Sequence, residues 1–139
     1  MIKKTITYTD CNGNQRTEDF YFNLNKAELM RMELGVKGGM TEMMNRMIAA
    51  QDAPAMMEVF DDLIRKSYGI KTPDGRGFVK RDEYYEDFKS TEAYSELFVE
   101  LITNPDACAE FFNGVVPANL AEQVKAEQAK QNLIAATAN

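Results

Sequence analysis

The strongest constraint on this fold is a single change of hydrophobic period near Asn25. Before it, apolar and β-branched residues alternate every second position, as on a half-buried strand. Ile2, Thr5, Ile6 and Tyr8 form one such run, and Phe20, Tyr21 and Phe22 end a second. Between the runs lies TDCNGNQ, whose Asn12-Gly13 pair is the side-chain signature of a tight type I′ turn. The pattern predicts a β-hairpin over roughly residues 2–22. A lone hairpin is marginal in water, so this one must pack on something or pair at its edge.

After Asn25 the period is helical. Asn25 with Glu28 three residues on is a capping-box pattern, predicting a short helix from Lys26 to Leu34 that ends near Gly35. Met40, Met43, Met44, Met47 and Ile48 then recur on one face of a second helix. Asp52 with Pro54 opens a third, whose stripe is Met56, Val59, Phe60, Leu63, Ile64 and then Ser67 or Tyr68, with Gly69 as its stop. Pro73-Asp74-Gly75 marks a turn, and Phe78-Val79 reads as a short extended piece. Three more short helices follow: about residues 82–89, one carrying Tyr94, Leu97, Phe98, Leu101 and Ile102, and one opened by Asn104-Pro105 and stopped by Gly114. After Pro117 an Ala-rich segment has high helix propensity but only Leu120, Ala121 and Val124 as a stripe. It reads as a surface, swapped or frayed helix rather than a core one, and removing it is expected to leave the core folded.

The expected fold is therefore mainly α within the α+β class, an N-terminal β-hairpin followed by a compact bundle of five or six short helices. Residues 1–117 form one globular domain, with 1–24 the hairpin and 25–117 helical, and 118–139 the C-terminal helix or tail.

Composition narrows the chemistry. The chain of 139 residues contains no histidine, which removes the commonest general base, the commonest metal ligand and every His-dependent dyad. Two distant cysteines supply neither a disulfide framework nor a zinc set, and both are expected as free, buried thiols. No GxxxxGK[ST] or GxGxxG run occurs, and Asp10–Asn14 lacks the glycine and glutamate of a calcium loop. The neighbouring carboxylates Asp61/Asp62 and Glu86/Asp87 lie on charged helix faces and do not suggest an acid–base pair. No enzyme activity, cofactor or metal is expected. A net charge of −6 argues against nucleic-acid binding, and no apolar run is long enough to cross a membrane.

Two features point to protein partners. Eight of the nine methionines fall between Met30 and Met57. Methionine is unbranched and polarizable, and is over-used on adaptable binding surfaces. Met43, Met44, Met47 and Met56 fit core stripes. Met32, Met40 and Met57 lie off the tightest stripes and suit an exposed apolar patch. Residues 81–116 carry nine acidic and two basic groups, and Glu92, Glu96 and Glu100 repeat along one helix face. Most such faces are simply solvated, but this one also suits docking of a basic partner. The candidate partner-binding residues are thus Met32, Met40, Met43, Met44, Met57, Glu92, Glu96 and Glu100. The hairpin edge and the C-terminal helix add an expectation of homo-oligomers.

Four phrases occur in order: FYFNLNKAELM (Phe20–Met30), LIRKSYGIKTPDGRGFVK (Leu63–Lys80), TEAYSELFVELIT (Thr91–Thr103) and FFNGVVP (Phe111–Pro117). Over roughly residues 18–117 the chain resembles tail assembly chaperones of long-tailed, non-contractile (siphovirus-type) phages. The resemblance implies a non-catalytic protein of the host cell cytoplasm, absent from the mature virion. It implies binding to the long helical tape measure protein, keeping it soluble before tail-tube subunits polymerise. It extends the partner set to the tail tube protein and a frameshifted longer form of the chain. A small structural tail or connector protein would share this composition and self-association, and is the alternative.

Overall fold

The computed structural model describes residues 1–137. Strands β1 (Ile2–Thr9) and β2 (Gln15–Phe22) form the expected antiparallel hairpin, pairing Ile2 with Phe22 through to Thr9 with Gln15. The turn differs from the type I′ expectation. Only Gly13 has positive φ, at 81°, while Asn12 does not. Gly13 N–H donates to Asp10 O at 3.0 Å and Asp10 N–H to Asn14 O at 2.8 Å. The Asp10 carboxylate also accepts from the backbone N–H groups of Asn12 and Asn14 and from Arg16 Nε. A carboxylate that satisfies two turn amides favours a longer loop with one left-handed residue over a two-residue turn.

Six helices follow: α1 (Lys26–Gly35), α2 (Met40–Ala50), α3 (Ala53–Ser67), α4 (Asp82–Lys89), α5 (Glu92–Thr103) and α6 (Pro105–Val115). A last helix, α7 (Leu120–Thr137), closes the described chain, so the final two residues of the expected tail lie outside it. The caps are those the sequence indicates. Asn25 and Glu28 form a reciprocal capping box, Asp52 accepts from Ala55 N–H, and Asn104 from the N–H groups of Asp106 and Ala107.

The sheet is larger than a hairpin. Between α3 and α4 the chain forms β3 (Tyr68–Lys71) and β4 (Phe78–Val79), giving a four-stranded antiparallel order β1-β2-β3-β4. Tyr68 and Gly69, read from sequence as the end and stop of a helix, pair with Phe22 and Tyr21. This pairing answers how the hairpin is stabilised: β2 gains a second neighbour at its C-terminal end.

One face of the sheet is covered. Ile6, Tyr8 and Phe22 are buried beneath α5 and α6. Phe22 sits at the centre, ringed by Tyr68, Phe88 and Phe111 with centroids 5.2–6.0 Å away. Gly114, expected as a helix stop, instead lies inside α6, and a Cβ there would fall 2.9 Å from Ile2 Cδ1. Its small size lets α6 lie directly against β1.

The C-terminal helix corrects another expectation. Leu120 and Val124 are fully buried and belong to the main core cluster, where α7 packs on α1, and Lys26 Nζ lies 2.6 Å from Glu127 Oε1. From Lys125 to Gln131 the helix is mostly exposed. A two-residue stripe one turn apart is too short to register as amphipathic, yet it suffices to dock the first turns.

Cys108 is buried, and burial pushes its thiol pKa up, while Cys11 is exposed in the hairpin turn. The expectation of two buried thiols thus holds for Cys108 alone, because the turn projects away from the core.

Candidate functional site

Three helices leave a trough between them. Leu24 and Leu63 form its floor, Met32 and Val36 come from α1 and its C-cap, Met40 and Met43 from α2, and Val59 from α3. Glu28, Arg31, Asp62 and Lys66 rim it. The open volume is about 480 Å³, within the range of sites that take a small molecule or a few side chains of a partner. Much of the polar rim is internally paired: Lys66 Nζ lies 2.7 Å from Asp62 Oδ2, and Lys80 Nζ 2.6 Å from Glu28 Oε1. The lining itself is aliphatic and thioether, and its methionines change rotamer at low cost.

The wall made by α2 packs on α3 through Met40 and Met44 and is fixed at both ends. Gly38-Gly39 leads into it, and Glu33 of α1 accepts from Met40 N–H at 2.8 Å, capping α2 from a neighbouring helix. At its other end Gln51 adopts φ 53°, and its N–H and that of Asp52 bond back to Ile48 O and Met47 O. This is a Schellman stop formed without glycine. Behind α2 a second cleft of about 310 Å³ is lined by Met44, Ile48, Met56, Leu101, Cys108 and Phe112, among others.

The predicted residues divide accordingly. Met32, Met40 and Met43 converge on the trough. Met40, expected on an exposed patch, is only 4% exposed, because the Glu33 cap pins the first turn of α2 against the floor. Met44 is buried and faces the second cleft. Met57 is exposed and lines neither cavity. Of the expected core methionines Met43, Met47 and Met56, none is fully buried; each is half-buried against the core. Glu92 and Glu96 are exposed on α5, away from the trough lining. Glu100 leaves that acidic row: it is half-buried and accepts from Lys4 Nζ at 3.1 Å, tying α5 to β1. Sequence reasoning missed Val36, Val59 and Leu63 as trough residues. The α3 stripe shows that Val59 and Leu63 face inward, Val36 lies on no stripe because it caps α1, and only the structure reveals that a gap remains there.

Asp61 and Asp62, both expected on a charged helix face, differ: Asp62 is exposed there, whereas Asp61 is half-buried against two tyrosines. Asp62 holds Lys66, while Asp61 accepts from Tyr85 Oη at 2.8 Å and from Tyr94 Oη. Burial works to raise the Asp61 pKa, but the two phenol hydrogen bonds outweigh it and hold the carboxyl below its ordinary value. Burial, then Asp61, pushes the Tyr94 phenol far up. A carboxyl with a folded pKa below its unfolded one stabilises the fold above the unfolded value of 3.8, and loses that contribution as pH falls through the lower folded value. Replacing Asp61 with Asn is therefore expected to cost about 1–3 kcal/mol at pH 7, and the gap from wild type should narrow below pH 3.8. Urea unfolding at pH 7 and pH 3 measures both.

Among the described residues no group of three or more His, Cys, Asp or Glu is placed to hold a metal ion, and no helix is long and apolar enough to cross a membrane.

A sequence model of one protein family, described as phage tail assembly chaperone, matches residues 1–138. The chain belongs to the phage tail assembly chaperone family. The match takes in the N-terminal hairpin and the C-terminal helix, beyond the roughly 18–117 span over which the four phrases carry the resemblance. No curated protein and no solved structure matches the chain. In this tail assembly chaperone, the trough between α1, α2 and α3 is an open apolar concavity lined by three residues of the methionine-rich segment.

Proposed function

We propose that the trough receives the apolar face of a helix from the tape measure protein and keeps that client soluble until tail-tube subunits polymerise around it. The observation that carries this reading is the convergence of Met32, Met40 and Met43 on one open, otherwise aliphatic trough in a member of the tail assembly chaperone family. A long helical client offers apolar side chains at i, i+3 or i+4, and i+7, and a trough of this size seats a few of them at a time. Thioethers accept varied side-chain shapes, as binding many non-identical stretches of one client requires. Binding here is non-catalytic and uses no cofactor. The reading places the protein in the cytoplasm of the host of a long-tailed, non-contractile phage, and out of the finished particle. The tail tube protein and a frameshifted longer form are its further partners in this scheme.

Met32→Lys and Met43→Lys test it. Both side chains are half-buried at the trough wall, so a lysine there leaves the floor intact and puts a charge where an apolar face must dock. Each variant is expected to weaken client binding about tenfold or more, since one desolvated anchor is worth ~1.4 kcal/mol or above. The readout is the soluble fraction of the tape measure protein on co-expression. A client equally soluble with wild type, with either variant and with no chaperone would refute the proposal. Stoichiometric presence in purified particles would favour a structural tail protein instead.

A further inference from the structure

Among the described residues the sheet has one long edge without a partner. There β1 ends the strand order, runs eight residues, and pairs with β2 alone. Its hydrogen-bond phase follows from the turn. Asp10 exchanges bonds with Asn14 and Gly13, so its N–H and C=O face β2. Antiparallel pairing alternates bonded and non-bonded residues. The even residues Ile2, Lys4, Ile6 and Tyr8 therefore bond to β2. The odd residues Lys3, Thr5, Thr7 and Thr9 turn their N–H and C=O outward, and among the described residues nothing bonds to those groups. Their side chains are exposed, and Thr7 already meets Thr17 hydroxyl to hydroxyl at 2.9 Å on this face.

Natural edges are usually blocked by proline, a bulge or a mid-strand charge. β1 has no proline, its register with β2 is unbroken, and its only charges, Lys3 and Lys4, sit together at the N-terminal end. That placement selects a partner. A parallel neighbour of the same sequence would stack lysine on lysine. An antiparallel copy sends the two lysine ends apart, each toward the Asp10 end of the other strand.

We infer that β1 is the seam of a two-fold dimer, pairing antiparallel along its outer edge with β1 of a second copy. Ile6 and Tyr8 must stay on the helix-covered face in both copies, which fixes the parity of the pairing: even residues meet even, and the outward-bonding threonines meet one another or Lys3. Such a dimer joins two troughs through one continuous sheet, and two linked sites bind a long client with avidity that neither has alone. The inference stands on the sheet, independently of what fills the trough.

Proline scanning of the full chain tests it. At Thr5 and Thr7 the N–H is unused in the monomer, so Thr5→Pro or Thr7→Pro removes a backbone bond from the seam and none from the hairpin ladder, at the cost of one exposed side-chain bond to Asp19 or Thr17. Sedimentation at tens of micromolar is expected to give twice the chain mass for wild type and the chain mass for both variants, with circular dichroism unchanged. Should a variant unfold, hydrogen exchange of the wild type decides. The Thr5 and Thr7 amides are expected to exchange about tenfold more slowly at high than at low protein concentration. A wild-type monomer across the range, a dimer that survives both substitutions, or exchange independent of concentration would overturn the inference; the last two would place association elsewhere, α7 or a client strand included.

Discussion

A chain that stops at Pro117 is expected to lose about 3–6 kcal/mol of stability, because it forfeits two fully buried aliphatic side chains at ~1.5–3 kcal/mol each. Leu120 is 2% exposed and Val124 5%, both in the main core cluster. Their removal uncovers Leu29 and Met30 of α1 and deletes the Lys26–Glu127 ion pair, which, being exposed, adds little. The loss is comparable with the whole stability of many domains, so the truncated protein should unfold at much lower urea, with a large apolar surface on α1 exposed. Leu120→Ala with Val124→Ala in the intact chain should reproduce most of the effect, separating packing from chain length. A truncated form with an unchanged urea midpoint would show that α7 contributes nothing to the core. The sequence pattern alone leads to that opposite expectation, which makes this measurement a direct contest between periodicity and packing.

Phe22→Ala is expected to cost about 3–5 kcal/mol, the usual range for emptying an aromatic site in a core. Phe22 has no exposed surface and touches three further rings, Tyr68, Phe88 and Phe111, from a strand, a short helix and α6. No single neighbour can collapse into the space, since each ring is also held by others: Phe88 stacks on Tyr68 at 4.6 Å and meets Tyr94 edge-on at 5.8 Å. The melting temperature should fall by roughly 6–20 °C, at ~2–4 °C per kcal/mol for a domain of this size. Phe22→Leu should recover a good part of the loss, and a deficit under ~1 kcal/mol for the alanine variant would contradict the central placement of this ring.

Local chemistry makes most of the elements readable in the sequence. Asn25 with Glu28, Asp52 with Pro54 and Asn104 with Pro105 each cap the helix they announce, because a cap is a bond between residues two or three apart. What does not read this way depends on residues far apart in the chain. β3 is four residues long, and Tyr68 also completes the stripe of α3; only pairing with β2, some fifty residues earlier, settles its state. Gly114 reads like a terminator because its reason, the side chain of Ile2, lies at the other end of the sequence.

The trough is half legible for the same reason. Met32, Met40 and Met43 stand out by residue type, and they do converge. Met44 and Met57 share that type but point to a different cleft and to open solvent. Periodicity tells which side of a helix faces inward. It does not tell whether the neighbour closes the gap, and a binding trough is such a gap. Glu100 illustrates the converse, an acidic residue on a regular surface row that is spent on Lys4 of the first strand.

The close approach of Ile2 to Gly114, and the burial of Leu120 and Val124 against α1, have a consequence for biosynthesis. The hairpin is synthesised before α5 and α6, the helices that cover it. Its apolar face therefore stays uncovered until some ninety further residues have been made, and folding of the sheet must wait on the arrival of α6.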